Sequence, residues 1–290
     1  MILSLNLFAF MKGKPNTEAF LLAKETGYND ITIEFNESKD DPILEDDYET
    51  KVKELKKVLD SLELTVSQTH IKCYSFADGS SVTSKEKDKM IERSIISSAI
   101  LEAPWGAIHP RTSYDAIHDR KYNLMENVRF LEPFLKIGEK YGVGIAVENI
   151  PTWRDAEKNV YFSSHHTELI DLVDYFKGNK YLGICWDTGH ANLNMHCDDQ
   201  FFALREIGSR LKTMHIASND GRYDDHLMPP AFGTVDCEKL AAVLKEIKFD
   251  GCLSCELHGL ETFGFELPKA QKSYYKLNYA CGEYLLNLLK

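Results

Sequence analysis

The sequence predicts an α/β protein built as a single (β/α)8 barrel over residues 1–290, with its functional groups at the C-terminal ends of the strands. Three observations carry this reading. Strand-like and helix-like runs alternate eight times with short connections and no linker or low-complexity segment between them. Acids and imidazoles recur where those strands end, the face on which (β/α)8 barrels build their sites. The alternative, an open doubly wound sheet, would carry a Gly-rich phosphate turn after strand one, and Phe8-Ala-Phe-Met-Lys-Gly-Lys14 stands there instead.

The elements follow in order. Strand one is residues 2–8 and helix one residues 16–25; strand two is 30–35 and helix two 46–61, with Val52, Leu55, Val58, Leu59 and Leu62 at helical spacing. Strand three is 64–71 and helix three 84–103. Strand four is the short 105–109. Helix four is 122–141, with Leu124, Val128, Leu131 and Leu135 on one stripe and Pro133 as a candidate bend or boundary. Strand five is 143–150, helix five 166–177, strand six 181–187, helix six 199–210 and strand seven 211–217. Helix seven opens on Asp236, a good N-cap, and runs to 247; strand eight is 251–257 and a last helix occupies 268–289. The tyrosines of that helix (Tyr274, Tyr275, Tyr279, Tyr284) suit a cover for the barrel or, alternatively, a subunit contact in a homo-oligomer.

Composition excludes several classes. The chain is 290 residues long and 43% hydrophobic, enough for a large core. No apolar run reaches the roughly 18 residues that span a membrane, and the apolar Met1–Leu7 reads as a first strand rather than a signal peptide. Seven cysteines, an odd and scattered set, fit thiols in a reducing cytoplasm. The net charge of −11 opposes nucleic acid as a partner, and the lysines of 51–57 and 85–89 read as solvated helix faces.

Strand three ends in His70, strand four in His109, strand five in Glu148 and strand six in Asp187, with His190 three residues on. Strand seven carries His215, its loop Asp224 and His226, and strand eight ends in Glu256. Parity gives them a common direction. Glu148 shares its face with Gly144 and Ala146, Asp187 with Gly183 and Cys185, His215 with Thr213, and Glu256 with Cys252 and Ser254, while the bulky residues take the other face. A barrel interior bounded by outer helices produces this split. Carboxylates and imidazoles together suit Zn2+, Mn2+, Co2+ or Fe2+ better than Ca2+, and the absence of thiolates at these ends fits a catalytic site. Two motifs carry no weight: Cys252-Leu-Ser-Cys255 places its thiols on opposite faces of a strand, and His165-His166 reads as polar surface.

Over strands three to eight the chain resembles the xylose isomerase-like barrel superfamily of sugar and sugar-phosphate isomerases and epimerases, inosose dehydratases and endonuclease IV. The resemblance rests on Gln68-Thr-His70, Ile108-His-Pro110, Ala146-Val-Glu-Asn149, Gly183-Ile-Cys-Trp-Asp-Thr-Gly-His190, Met214-His-Ile216, Asp224-Asp-His226 and Ser254-Cys-Glu256. It implies one divalent metal (Mn2+, Zn2+ or Co2+) held by Glu148, Asp187, His215 and Glu256, with Glu148 and Glu256 shuttling the substrate proton. It also implies sugar contacts from His190 and, more loosely, from Arg222. In endonuclease IV three zincs are held by positions corresponding to His70, His109, Glu148, Asp187, His190, His215, Asp224, His226 and Glu256, all nine filled here.

Two functions follow as expectations. The first is a metal-dependent isomerase or epimerase of a small sugar, polyol or sugar phosphate, in which one glutamate removes the proton beside a carbonyl and the other returns it, through an enediolate that the metal stabilises. The second is a zinc phosphodiesterase acting on abasic DNA. Against it, the loop from Asn219 to Asp236 offers one Arg and four Asp where a duplex binder needs phosphate neutralisation. Trp153, Arg154 and Lys158 in the strand-five loop could meet a substrate of either kind.

Overall fold

The computed structural model describes residues 1–35, 42–72, 84–151, 161–193, 199–257 and 268–290. Eight parallel strands close into a barrel: β1 (Ile2–Phe8), β4 (Asp30–Glu34), β5 (Thr65–His70), β6 (Trp105–Ile108), β7 (Gly144–Glu148), β8 (Leu182–Asp187), β9 (Leu211–Ile216) and β10 (Cys252–Cys255), with β10 returning to pair with β1. The predicted barrel is therefore the observed one, with strand ends trimmed by a residue or two. The sequence reading missed a small antiparallel hairpin, β2 (Phe10–Met11) with β3 (Lys14–Pro15), in the loop after β1.

The surrounding helices are α1 (Thr17–Thr26), α2 (Tyr48–Ser61), α3 (Ser84–Ile100), α4 (Arg120–Tyr141), α5 (His166–Tyr175), the short α6 (Thr188–Leu193), α7 (Gln200–Ile207), α8 (Cys237–Glu246) and α9 (Pro268–Leu288). Asp119, Asp199 and Asp236 cap α4, α7 and α8 by accepting from Tyr122, Phe201 and Lys239 backbone N–H at 2.9, 3.0 and 3.0 Å. Pro133 lies within α4 and ends nothing. Helix α9 packs against α1, α8 and β1, and the Tyr279 ring meets Tyr28 edge-on at 5.1 Å between centroids, so the tyrosine-rich helix covers the barrel wall. His166, expected at the surface, is buried at the start of α5; its Nε2 lies 2.7 Å from Glu206 Oε2 on α7, because the packing of these helices places an acid over a residue that the sequence shows only as polar.

The apolar core lies between strands and helices. Branched and aromatic residues of the outward strand faces (Ile31, Ile33, Ile108, Ile145, Val147, Ile184, Met214, Leu253) pack there against the helices. Inside the barrel the side chains are small or polar: Ser4, Thr32, Gln68, Ala107, Ala146, Cys185, Thr213 and Ser254, all buried. Cys252 and Cys255 separate as expected, the second joining the outer core beside Tyr28. Trp105 helps to fill the floor, and Gly144 makes room for it: a Cβ there would stand 2.3 Å from the Trp105 ring. Small residues below leave the upper end of the barrel free for large polar side chains.

Candidate metal centre

Glu148 occupies the middle of that upper layer. Its carboxylate is fully buried and meets four imidazoles from four different segments. His70 Nε2 and His109 Nε2 lie 3.4 and 3.3 Å from Oε2, and His190 Nδ1 and His215 Nδ1 lie 3.3 and 3.0 Å from Oε1. His215 Nδ1 also stands 2.8 Å from Glu256 Oε2 and 4.0 Å from Asp187 Oδ2. On the rim, Asp224 lies between His190 Nε2, 3.3 Å from Oδ2, and His226 Nε2, 3.2 Å from Oδ1. Six strand ends, the short α6 and the loop after β9 thus deliver every one of the nine acids and imidazoles singled out in the sequence to one cluster.

The arrangement fits a metal site. One atom each from Glu148, Asp187, His215 and Glu256 falls within 4.8 Å of the others; so do His190, Asp224 and His226, and so do His70, His109 and Glu148. Glu148 Oε2, Asp187 Oδ2, Asp224 Oδ1 and Glu256 Oε2 are buried without a hydrogen-bond partner among the described residues. Yet imidazole nitrogens stand only 2.8 to 4.0 Å from them. Donor atoms that face a shared space rather than each other are what a cation needs, and leaving such oxygens buried without one is costly.

The surroundings fix these side chains. Three imidazoles anchor Nδ1 on a backbone carbonyl: His70 on Ile71 O at 3.1 Å, His190 on Asn149 O at 2.8 Å and His226 on Glu256 O at 3.1 Å. Each then turns Nε2 toward the acids. The Asn149 side chain ties the ends of β7 and β8 together by exchanging two hydrogen bonds with the Asp187 main chain, Nδ2 donating to its O at 2.9 Å and Oδ1 accepting from its N–H at 2.7 Å. Asp187 Oδ1 accepts from the His190 N–H at 2.6 Å, the first turn of α6, so strand end and helix start are tied together.

Charge is balanced across the cluster. Burial pushes the Glu148 carboxyl up, but the His215 and His109 imidazoles outweigh it and hold the group well below the ordinary carboxylate range. Burial likewise opposes ionisation of Glu256, and His215 more than offsets it. Burial lowers both His190 and His215, but Asp187, Asp224 and Glu148 raise His190, and Cys185, Glu148 and Glu256 raise His215, each well above the usual imidazole value. His226, despite burial, is raised to about 9 by Asp224 and Glu256.

Two groups escaped the sequence reading. Glu34 ends β4, and Asn6 on β1 donates from Nδ2 to Glu34 Oε2 at 3.3 Å and to Glu256 Oε1 at 3.2 Å. Burial raises the Glu34 carboxyl. The signal was present: Thr32 and Glu34 share a face opposite Ile31 and Ile33, as Ser4 and Asn6 do opposite Leu3, Leu5 and Leu7. Arg222, by contrast, is exposed and lies 3.7 Å from Asp220 at the loop tip; the structure does not bring it to the cluster. Trp153, Arg154 and Lys158 lie outside the described residues.

Residues 20–274 match the family model of xylose isomerase-like TIM barrels, and the chain belongs to that family. Over 133 residues it is 31% identical to an uncharacterized protein of Methanocaldococcus jannaschii, a match covering 46% of this chain and 43% of that one, so the chain spans less than half the length of this curated relative. Among solved structures it is similar to a D-psicose 3-epimerase with D-tagatose from Clostridium cellulolyticum H10, at TM-score 0.72 and 14% identity with 100% of both chains covered. It is also similar to an AP endonuclease, family 2, from Brucella melitensis, at TM-score 0.64 and 19% identity over 92% of this chain and 98% of that one. No helix among the described residues is long and apolar enough to cross a membrane.

Proposed function

We propose that the chain is a divalent-metal-dependent isomerase or epimerase of a small hydroxylated carbohydrate. The observation that carries this reading is the pair of glutamates, Glu148 and Glu256, held on the separate strand ends of β7 and β10 and both within 3.0 Å of His215 Nδ1. Glu148, Asp187, His215 and Glu256 would hold the metal, as Mn2+, Zn2+ or Co2+, and when bound it would supply Lewis-acid stabilisation of charge on a substrate carbonyl oxygen. Glu148 and Glu256, both held as carboxylates, are the groups able to take the proton beside that carbonyl and to return it on the other face. Asn6 steadies Glu256 through Oε1, and Glu34 beside it adds an acceptor suited to a sugar hydroxyl and unsuited to a phosphate. His190 lies at the rim side of Glu148, where a substrate would approach.

A second reading, a zinc phosphodiesterase acting on abasic DNA, is favoured by the assembly of all nine ligands into overlapping groups. The acids of the rim loop, Asp220, Asp224 and Asp225, oppose a phosphodiester backbone there. The test is a panel of ketoses, inososes and their phosphates incubated in D2O with Mn2+, alongside a nicking assay on abasic duplex and a metal count per chain. Deuterium uptake at carbon next to a carbonyl is the expected result. Nicking with three tightly held zincs and no uptake into any sugar would replace the first reading by the second.

A further inference from the structure

His215 differs from the other anchored imidazoles of the cluster. His70, His190 and His226 fix Nδ1 on a main-chain carbonyl and offer Nε2, whereas His215 offers Nδ1 to Glu148 and Glu256 and turns Nε2 down into the barrel. No main-chain carbonyl receives Nε2 among the described contacts. Its neighbour there is the Gln68 side-chain amide, with Nε2 toward His215 and Oε1 accepting from the Thr213 hydroxyl; all three residues are buried.

We infer that Gln68 is a positioning residue that sets the tautomer of His215 and thereby decides whether its Nδ1 is available as a metal ligand. The inference rests on the metal-site reading above. An imidazole that gives its Nδ1 lone pair to a metal carries its remaining proton on Nε2, and a buried N–H requires an acceptor. Gln68 is placed to provide it. Its amide can present either end to Nε2, since a half-turn about the last side-chain bond exchanges carbonyl and amino groups with little movement of other atoms. With the carbonyl toward Nε2, the amino group donates to the Thr213 hydroxyl oxygen, and the Nε2 proton of His215 has its acceptor. With the amino group toward Nε2, the proton must sit on Nδ1, where it faces Glu148 and Glu256 and blocks the ligand position. One side chain in the barrel interior thus couples the protonation pattern of His215 to loading of the site above it. A backbone carbonyl, which cannot donate, would not allow this alternation.

The experiment titrates Zn2+ into chelator-treated wild-type protein, Gln68→Met and Gln68→Glu by competition with a chromogenic chelator. Thermal unfolding of each chelated protein reports folding separately. Methionine keeps the volume and removes the acceptor; glutamate keeps an acceptor and cannot donate. Gln68→Met is expected to bind Zn2+ about 10- to 100-fold more weakly, and Gln68→Glu to bind as well as wild type within about threefold or more tightly. Equal Zn2+ affinity in wild type and Gln68→Met, or equal losses in both variants, would overturn the inference while leaving the metal site itself intact. Absence of Zn2+ binding by wild type would remove both. If Gln68→Met does not fold, the wild-type protein decides alone: long-range 1H–15N correlation of the Zn2+-loaded protein should show the His215 proton on Nε2, and a proton on Nδ1 refutes the assignment.

Discussion

Replacing Glu148 by Gln tests the centre of the site, because it removes one charge and almost no volume. The carboxylate stands 3.0 to 3.4 Å from nitrogens of four imidazoles. At an effective dielectric of about 20, each such contact with a protonated ring is a gross attraction of roughly 4 kcal/mol, most of it offset by the desolvation of both partners. Removing one member of a buried charged network typically costs about 3–5 kcal/mol, and that is the destabilisation expected for the chelated variant at pH 6. The sign with pH follows from the imidazoles. His190 and His215 titrate well above their ordinary value in the fold, so their contribution is complete below about pH 6.5 and is lost as pH rises toward the folded values. Without Glu148 those values fall, the variant carries less of this contribution, and its deficit relative to wild type shrinks between pH 6 and 9. Urea unfolding in the presence of chelator, followed by circular dichroism at both pH values, measures the deficit. On the proposed roles of Glu148 in proton transfer and metal binding, turnover per folded molecule should fall by at least about 10³-fold. A deficit that does not change with pH would refute the charge argument, and full turnover per folded molecule would return Glu148 to a structural role.

Other outcomes follow from single contacts. His226 is raised to about 9, so it stabilises the chelated fold fully below its unfolded value and loses that effect up to pH 9, a span on the order of 3 kcal/mol; His226→Ala should flatten the fall of stability across this window. Asn149→Ala removes both hydrogen bonds to the Asp187 main chain and should cost about 1–3 kcal/mol for each buried group left unpaired, with weaker metal retention in a dialysis assay. Gly144→Ala pushes a methyl into the Trp105 ring and should destabilise by about 1–3 kcal/mol, measured by urea unfolding, while the metal affinity stays within about twofold of wild type because the change lies at the barrel floor.

The closed barrel was legible because its rules are local. Alternating parity separated Ile145 and Val147 from Ala146 and Glu148, and Asp236 marked the start of α8 as an N-cap. Nine of the site's groups could be named for the same reason: a strand end that breaks an apolar pattern with an acid or imidazole is visible in one segment. Glu34 and Asn6 obey the same parity but belong to no recognisable motif. Three-dimensional packing settled the rest. His166 and His190 are both histidines near a helix start, yet one pairs with Glu206 on a neighbouring helix and the other joins Glu148, because helix packing and strand register bring partners from 40 and 42 residues away. Arg222 shares its loop with Asp224, yet it is exposed and its ion-pair partner is Asp220.

What the sequence determined by itself, then, was which residues face the barrel interior and which of them carry chemistry, since a period of two is written into each strand. What only the tertiary structure decided was how those residues meet. The closure of eight strands sets Gln68 beneath His215 across 147 positions of chain and surrounds Glu148 with four imidazoles. Those distances fix the ionisation of each group, and no single segment contains them.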